Sequence, residues 1–305
     1  MILAVCLNPC LDRIVFVPQL KVNTLNRGQR RLVSAGGKGV NVAKVISALD
    51  EPVRIIGFFA GSAGRFIVDD LEKRRVRTQP IWIEGQETRT TTNILDMATG
   101  KETEITEPGP EIGQEQLELF LKMYRETVRK ASLVVLSGSI PESVPEDIYA
   151  RLIQIAGEQG KKTILDTAGG LLANGIQGLP YMIKPNIREL NTLTRADSQS
   201  LDQIKKQCDL LHQKGIMNVC VSMGKDGALL SCKEGFFVHP AFSVDVINTI
   251  GSGDAMVAGL AVSMERGYPP FEMLRYASAC AASNASFQEI GVVDRYQVRN
   301  LLGNC

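Results

Sequence analysis

Residues 248–259, NTIGSGDAMVAG, place three small residues directly before a carboxylate at the start of an apolar run with helical spacing. A helix N-terminus exposes unpaired backbone N–H groups and the positive end of the helix dipole, so it can bind an anion. Gly251, Ser252 and Gly253 would let the backbone approach a phosphate closely, because no large side chain stands in the way. Asp254 would then lie beside negative charge, where its function would be to take a proton from an attacking hydroxyl. The alternative is an ordinary turn in which Asp254 is an N-terminal cap.

A second glycine cluster, SAGGKGVNVAKV at residues 34–45, also runs into a helical pattern. Its glycines, Gly37 among them, permit close contact with a ligand, and Lys38 and Asn41 offer donors to a phosphate or to sugar hydroxyls. The cluster is not a Walker A loop, because the pattern GxxxxGK[ST] occurs nowhere in the chain. The alternative is a glycine-rich turn with a solvated lysine.

Two further motifs follow predicted strands. In SMGKDGALL, Gly224 and Gly227 suit a tight turn beside a nucleotide, although a plain hairpin turn has the same pattern. In IKPNIREL, Asn186 can cap the helix that follows, and Glu189 stands three residues later, which is nearly a capping box. The second motif therefore has a structural interpretation beside any functional one.

Two segments, at about residues 12–34 and 77–107, differ from the rest because apolar and polar residues alternate in them between turns. This alternation predicts a small antiparallel β sheet outside the main one, which would serve as a lid. Arg27 and Arg89 lie in these segments. A guanidinium can clamp a phosphate with two parallel hydrogen bonds, but an exposed arginine can equally be only solvated.

The rest of the chain alternates short apolar runs with amphipathic helical segments, which is typical of βαβ units. We therefore predict a single α/β domain over residues 1–305, with a doubly wound, mostly parallel sheet and helices on both faces. The predicted strands are 2–8, 53–59, 132–138, 162–167, 181–186 and 218–223. The predicted helices are 40–49, 62–74, 114–130, 145–159, 199–213, 252–266 and 270–287. Ligands of such sheets bind beyond the carboxyl ends of the strands, where most of these motifs fall.

Charge and composition argue against several classes of partner. Lys and Arg number 34 against 33 Asp and Glu, a net charge of +1, which gives no support to a nucleic-acid or membrane-surface partner. No apolar run approaches the roughly 20 residues that span a bilayer. An odd number of cysteines without a signal-peptide pattern predicts reduced thiols in a cytoplasmic protein. The cysteines are Cys6, Cys10, Cys208, Cys220, Cys232, Cys280 and Cys305. With two histidines in the chain, a structural zinc site is not expected.

Together the motifs resemble the ribokinase-like (PfkB) carbohydrate kinase family. AGGKGVNVA at residues 35–43 and NTIGSGDAMVAG look like its two signatures, and LSGSIP, KPNIREL and SMGKDGA match landmarks between them. The resemblance extends from Asn8 to about Asn284. LNPCLD, LNR, ETR and ETEITEPGP look like the 1-phosphofructokinase and tagatose-6-phosphate kinase branch. That branch phosphorylates a ketohexose that already carries one phosphate, either fructose 1-phosphate or tagatose 6-phosphate.

The resemblance implies a role for each motif. Asp254 would be the general base, and the backbone of Gly251, Ser252 and Gly253 would form the anion hole for the transferred phosphoryl group of ATP. Asn186 and Glu189 would place the Mg²⁺ of ATP through water. The nucleotide side would comprise Lys184, Ser222, Gly224 and Gly227, with Asn284 at the adenine pocket. The sugar side would comprise Asp12, Gly37, Asn41 and Ser139, with Arg27, Lys38 and Arg89 around the phosphate.

The resemblance also implies a homodimer formed through the lid, and it leaves some alternatives open. Asn248 stands where many relatives have aspartate, so dependence on a monovalent cation such as potassium is an open question. The acceptor could instead be an unphosphorylated sugar or a nucleoside. A regulator that binds nucleotide or sugar phosphate without catalysis is a further alternative, against which the intact Asp254 argues. A Rossmann oxidoreductase is disfavoured, because no GxGxxG follows the first strand.

Overall fold

The computed structural model describes residues 1–197 and 200–303. Over these residues the strands, in chain order, are β1 (Ile2–Cys6), β2 (Cys10–Val17), β3 (Arg30–Gly36), β4 (Val53–Ala60), β5 (Arg77–Ile83), β6 (Thr90–Asp96), β7 (Glu102–Thr106), β8 (Leu133–Ser137), β9 (Lys162–Asp166), β10 (Met182–Ile183), β11 (Asn218–Ser222), β12 (Ala228–Cys232) and β13 (Gly235–His239). The helices are α1 (Lys38–Ala48), α2 (Gly61–Lys73), α3 (Gln114–Val128), α4 (Ile148–Glu158), α5 (Gly169–Gly175), α6 (Ile187–Thr194), α7 (Leu201–Gln213), α8 (Ser252–Glu265), α9 (Pro270–Ala285) and α10 (Arg295–Leu301).

The main sheet has the strand order β13-β12-β11-β10-β9-β8-β1-β4-β5. From β11 to β5 neighbouring strands run parallel, and β12 and β13 add an antiparallel hairpin at one edge. All five residues of β1 are buried, as expected of a central strand covered by helices on both faces. The predicted doubly wound, mostly parallel α/β fold is confirmed.

Alternate residues of the strands supply two separate hydrophobic layers, because successive side chains of a strand point to opposite faces. Ile2 and Ala4 of β1 belong to the layer that also contains side chains of α1, α2, α8, α9 and α10. Leu3 and Val5 belong to the layer that contains side chains of α3 to α7. The sheet is therefore held rigidly from both sides, which fixes the positions of its strand ends.

A second sheet, the lid sheet, has the order β3-β2-β6-β7. Its outer pairs, β2 with β3 and β6 with β7, are antiparallel, so the predicted small sheet outside the main one is confirmed. Its central pair is parallel, with Leu11 opposite Thr90 and Val17 opposite Asp96. This differs from the expected purely antiparallel pairing. The reason is that β2 and β6 closely follow β1 and β5, which run in the same direction in the main sheet.

The predicted lid segment 77–107 needs one further correction. Residues 77–83 form β5, which pairs in parallel with β4 at the edge of the main sheet. Ile81 and Ile83 are buried in a hydrophobic layer of that sheet, whereas Trp82 between them is 42% exposed. An edge strand with one face exposed has the same alternating pattern as a lid strand, so the local pattern did not separate the two.

The remaining predicted elements are confirmed with shifted ends. The strand predicted at 181–186 is reduced to Met182–Ile183, because Pro185 has no N–H to donate to a neighbouring strand. The helix predicted at 199–213 begins at Leu201, and residue 199 lies outside the described residues. The strands β12 and β13 and the short helices α5 and α10 were not predicted.

The cysteines of the described residues, Cys6, Cys10, Cys208, Cys220, Cys232 and Cys280, are free and buried, and Cys305 lies outside the described part. Burial raises the pKa of the Cys6 thiol to about 11, so it stays protonated at neutral pH. Over residues 1–197 and 200–303 no helix has the length and apolar character needed to cross a membrane.

Candidate active site

The chemically active motifs meet at the carboxyl ends of the central strands. Strand β9 ends at Asp166, β10 is followed directly by Lys184, and β11 ends at Ser222. Lys38, the first residue of α1, extends toward Asp166. Motifs that are far apart in the sequence therefore lie at one edge of the sheet, where parallel α/β sheets bind ligands.

Asp254 lies in the first turn of α8 and is buried, with 6% of its surface exposed. The Asn41 side chain donates from Nδ2 to Asp254 Oδ2 at 2.9 Å. The helix is capped by Gly251 with no side-chain hydrogen bond, so the interpretation of Asp254 as an N-terminal cap is wrong. The Asp254 carboxylate is held by Asn41 of α1 instead, and it does not cap the helix.

The pKa of Asp254 is raised to about 6, chiefly because burial disfavours the charged carboxylate. The negative charge of Asp166 raises it further, whereas Lys38, Lys184 and the hydrogen bond from Asn41 lower it. A carboxylate with this pKa is mostly ionised at pH 7 and accepts a proton more readily than an ordinary aspartate. These are the properties that a general base requires.

The residues before Asp254 leave an open approach to the N-terminus of α8. Gly251 has φ 79°, in the left-handed region, and a Cβ there would lie 2.7 Å from the Ile290 side chain. A Cβ on Gly253 would meet Lys184 Nζ, 3.5 Å away, which places an ammonium beside the first turn. The positive end of the helix dipole and a lysine therefore act on the same space, which suits a phosphate.

Asn284 has a different place from the expected one at an adenine pocket. Its side chain is fully buried. It donates from Nδ2 to the Ile250 carbonyl at 2.9 Å and accepts from the Gly291 amide at 3.0 Å. The first bond holds residues 248–253, here called the glycine loop, and the second joins that loop to Gly291. Asn284 therefore connects these two segments and does not face an open pocket.

Asn248 also holds the glycine loop. Its Nδ2 donates to the Gln288 carbonyl at 3.1 Å, and its Oδ1 accepts from the Ile250 amide at 2.9 Å. An aspartate at this position would lack the donor that reaches Gln288.

Asp166 was not singled out from the sequence, yet it connects the two lysines of the site. It is 1% exposed, with Oδ1 3.2 Å from Lys184 Nζ and Oδ2 3.4 Å from Lys38 Nζ. Burial alone would raise the pKa of this carboxyl, but the two lysines outweigh burial and hold the pKa below its usual value. In turn, Asp166 is the main cause of the raised pKa of Lys38. In the sequence, Asp166 is an aspartate at the end of the apolar run KTILD, which is not a distinctive pattern.

Asp12, which the resemblance places on the sugar side, is buried and accepts a hydrogen bond from Cys10 Sγ to Oδ1 at 3.0 Å. Burial raises the pKa of Asp12. A Cβ on Gly36 would overlap its carboxylate, so a larger residue at that point of β3 would displace the Asp12 side chain. Gly37 follows with φ 95°, another conformation that favours glycine, and lets α1 begin directly beside the site.

Arg89 joins the start of the lid sheet to the end of β1. Its guanidinium donates to the Asn8 carbonyl from Nε at 3.3 Å and from Nη2 at 3.1 Å. Asn8 in turn donates from Nδ2 to Ser139 Oγ at 3.3 Å. Arg27 is separate from this group: it is exposed between β2 and β3, and within the described residues no hydrogen bond or ion pair joins it to the other site residues.

In the motif that the resemblance places on the nucleotide side, the capping box is present. Asn186 Oδ1 accepts from the Glu189 amide and Glu189 Oε2 accepts from the Asn186 amide, both at 2.9 Å. The structural interpretation of this motif is therefore confirmed. Gly224 and Gly227, with φ 60° and 95°, form the tight turn between β11 and β12, which confirms the hairpin interpretation of that motif.

The comparison with known families agrees with this geometry. Residues 1–290 match the model of the pfkB family of carbohydrate kinases. A provisionally named phosphofructokinase from Staphylococcus aureus is 32% identical, with a TM-score of 0.85 over 100% of this chain and 97% of that one.

Two further solved structures are similar over nearly their whole length. A provisionally named 1-phosphofructokinase from Thermotoga maritima is 29% identical, with a TM-score of 0.89 over 100% of this chain and 98% of that one. The phosphofructokinase-2 of Escherichia coli, in complex with potassium, shares the fold with a TM-score of 0.91 at 24% identity over 99% and 98% of the two chains. The chain therefore belongs to the pfkB family of carbohydrate kinases, phosphotransferases that act on an alcohol acceptor.

Proposed function

We propose that this kinase transfers the γ-phosphoryl group of ATP to a ketohexose monophosphate and forms the bisphosphate. Fructose 1-phosphate is the first candidate and tagatose 6-phosphate the second. The observation that carries the proposal is a buried aspartate, Asp254, at the open N-terminus of α8 and within the field of Lys38 and Lys184. This arrangement supplies a proton acceptor and an anion site at one place.

The transfer follows from the positions of these groups. The acceptor hydroxyl gives its proton to Asp254 while its oxygen bonds to the γ-phosphorus, and the bond from that phosphorus to the ADP oxygen breaks. Asn41 holds Oδ2 of the base, which leaves Oδ1 for the hydroxyl. The backbone N–H groups of Gly251 and Gly253 stabilise the charge that develops on the phosphoryl oxygens, whereas the Ser252 amide donates to the Thr249 carbonyl at 3.2 Å and would join them only after leaving that bond.

Magnesium bound with ATP would neutralise charge on the phosphates. Within residues 1–197 and 200–303 no three His, Cys, Asp or Glu side chains cluster to hold a metal. That fits a magnesium ion held mainly by phosphate and water oxygens, which is its usual preference. Exposed Asn186 and half-buried Glu189 would contact it through water at the end of β10.

The cations of the site favour an acceptor that already carries a phosphate. Lys38 and Arg89 lie at the sugar side, and Arg27 lies on the segment between the two lid strands β2 and β3. Lys38 is paired with Asp166 and Arg27 is separate, so Arg89 carries this argument: its N–H groups that are not directed at the Asn8 carbonyl suit phosphate oxygens, which a neutral sugar lacks. A kinase of a free sugar or nucleoside remains the second candidate because the base and the anion site would serve it equally well.

The direct test is ADP release with ATP and Mg²⁺ across fructose 1-phosphate, tagatose 6-phosphate, fructose 6-phosphate, fructose and ribose. We expect a clear preference for one phosphorylated ketohexose. Activity on a free sugar alone would keep the kinase chemistry but overturn the phosphorylated substrate. ATP binding without turnover on any acceptor would instead favour a regulator.

Arg89→Ala tests the phosphate contact. We expect its KM for the sugar phosphate to rise about 10- to 100-fold, the usual effect of losing a charged hydrogen bond, with little change in KM for ATP. Arg129→Ala, an exposed arginine at the end of α3, is the control and should match the wild type. An unchanged KM in Arg89→Ala would remove this residue from the substrate site.

A further inference from the structure

Lys44 is a buried lysine that the transfer chemistry does not use. It lies one turn after Asn41 in α1 and is 2% exposed. Its Nζ donates to the Ala35 carbonyl at 3.0 Å and to the Ile290 carbonyl at 2.5 Å. The carboxylate of Glu289 is 3.9 Å away and is itself paired with Arg74 at 2.6 Å. A buried ammonium is costly unless its donors are satisfied, so the two hydrogen bonds to carbonyl oxygens stabilise Lys44 in this position.

The first carbonyl belongs to the sugar side of the site. Ala35 is followed by Gly36, whose backbone lies directly against the Asp12 carboxylate, because a Cβ there would overlap it. A shift of this part of β3 would therefore move the wall against which Asp12 rests.

The second carbonyl belongs to the phosphoryl side. Ile290 is followed by Gly291, whose amide donates to Asn284 Oδ1 at 3.0 Å, and Asn284 holds the Ile250 carbonyl of the glycine loop. Gly291 also packs against Asn41: a Cβ on this glycine would lie 2.9 Å from Asn41 Oδ1. Asn41 is the residue that orients the base Asp254.

We propose that Lys44 is a positioning residue that fixes the sugar side of the site relative to the phosphoryl side. One ammonium binds two backbone oxygens that lie 255 residues apart in the chain (290 − 35), one next to Gly36 and one next to Gly291. The inference rests on the proposed function, in which Asp12 and Asp254 act on one acceptor molecule. It assigns to Lys44 the alignment of the acceptor hydroxyl with the base, and not contact with the substrate.

The electrostatic reason for a lysine here is specific. The two carbonyl oxygens face one small volume, and without a donor between them both would be buried and unsatisfied. A methionine fills a similar volume but supplies neither charge nor donors, whereas an arginine retains both. Comparing Lys44→Met with Lys44→Arg therefore separates the effect of changed packing from the effect of losing the hydrogen bonds to the Ala35 and Ile290 carbonyls.

The test measures kcat, the KM of each substrate, the melting temperature and the pH profile of kcat for both variants. For Lys44→Met we expect kcat to fall about 10- to 100-fold, as when reacting groups are displaced by about an ångström. The KM for ATP should change little. Lys44→Arg should recover most of the lost kcat, and Lys122→Met, at an exposed position of α3, should match the wild type.

The pH profile distinguishes positioning from a purely structural role. The Asn41 hydrogen bond lowers the pKa of Asp254, so a displaced Asn41 should move the acid limb of kcat to higher pH in Lys44→Met. A variant with a lower melting temperature but unchanged kcat and acid limb would overturn the proposal. If Lys44→Met fails to fold, Lys44→Gln, which keeps an amide donor, takes its place with the same two outcomes.

The wild type is first assayed across the acceptor panel. Should it prefer an acceptor other than a ketohexose monophosphate, the proposed substrate fails, and the variants are assayed with the preferred acceptor instead. The contacts of Lys44 are all within the chain, so its role is tested whichever acceptor is used.

Discussion

Two aspartates at one edge of the sheet have opposite ionisation behaviour, and their neighbours explain the difference. Asp166 touches two ammonium groups, so its pKa lies below the usual value and it stays ionised. Asp254 receives an uncharged amide hydrogen bond from Asn41, and burial raises its pKa to about 6. One carboxylate is therefore a permanent anchor for cations and the other can exchange a proton near neutral pH.

Replacing Asp254 tests this division directly. Asp254→Asn should bind ATP and sugar phosphate as the wild type does while kcat falls by roughly 10²–10⁴, the usual contribution of a positioned base. Calorimetry measures whether binding of ATP and sugar phosphate is retained, and ADP release measures the fall in kcat. Asp69→Asn, at an exposed position of α2, is the control.

The same residue sets the pH dependence of the wild type. Because the ionised carboxylate is the active form, kcat should fall as the pH drops through about 6. Turnover that barely changes in Asp254→Asn, or a profile without this acid limb, would show that another group takes the proton.

The sequence indicated Asp254 and the glycine clusters because helix starts and glycine runs leave a local signal. It did not indicate Asp166, since an aspartate at the end of an apolar run has no distinctive local pattern. What gives Asp166 its role is contact with Lys38, 128 residues away in the chain, and with Lys184 from the neighbouring strand. Such partners appear only once the strand order is known.

Helices α6 and α8 begin in contrasting ways. Helix α6 is closed by a full capping box from Asn186 and Glu189. Helix α8 begins after Gly251 with no side-chain cap, although capping residues normally stabilise a helix by about 1 kcal/mol. The N-terminus of α8 therefore keeps the amides of Gly251 and Gly253 available for an anionic ligand, whereas the Ser252 amide donates to the Thr249 carbonyl at 3.2 Å.

Gly253→Ala is expected to separate stability from activity. A Cβ there meets nothing closer than Lys184 Nζ at 3.5 Å, so the variant should fold and gain up to about 1 kcal/mol from the better helix propensity of alanine. The methyl group would occupy the approach to the first turn, and we expect at least a tenfold loss of kcat/KM for ATP.

Gly157→Ala in α4 is the matched control, since a Cβ at that helical glycine meets nothing within 4 Å. It should gain similar stability in urea unfolding and keep full activity. Equal activity in the two alanine variants would mean that the phosphate does not approach Gly253.

At the level of elements, sequence patterns report which faces of a strand are buried but not which sheet the strand joins. The alternation in Arg77–Ile83 reflects the half-exposed edge of the main sheet, although it had suggested the lid. The parallel pairing of β2 with β6 was also unpredictable, because it depends on the common direction of β1 and β5. Apolar runs such as Leu133–Ser137 were correctly placed because burial on both faces leaves an unbroken signal.

For the whole molecule, the segment that carries Arg27 is the most exposed apolar part of the lid region. Val22 is 83% exposed and Leu25 is 78% exposed. Isolated apolar residues are common on protein surfaces, but two on one projecting segment beside an open sheet suit a protein contact. They support the proposal of a homodimer formed through the lid sheet.

Sedimentation at micromolar concentration tests the dimer. We expect the wild type to sediment as a dimer and the double variant Val22→Glu, Leu25→Glu to sediment as a monomer, because buried charges without partners oppose association. Leu119→Glu, at an exposed site of α3, should leave the dimer intact. A monomeric wild type would rule out this contact.

The way the lid sheet is attached also constrains how it can move. Its two central strands leave the main sheet through residues 7–9 and 84–89, and the Arg89 guanidinium bonded to the Asn8 carbonyl ties these two connectors together. The outer strands are attached at the same end of the sheet, where β3 runs into α1 through Gly37 and β7 leads on to α3. The lid sheet is thus an arm that is held at one end, and the proposed sugar contacts Asp12 and Arg89 lie at that end. A swing that carries the far ends of β2 and β6 a long way would move these two residues least. The attached end of the lid sheet, with Asp12 and Arg89, would then control the affinity for the sugar. The far end, which moves most, would control the exclusion of water.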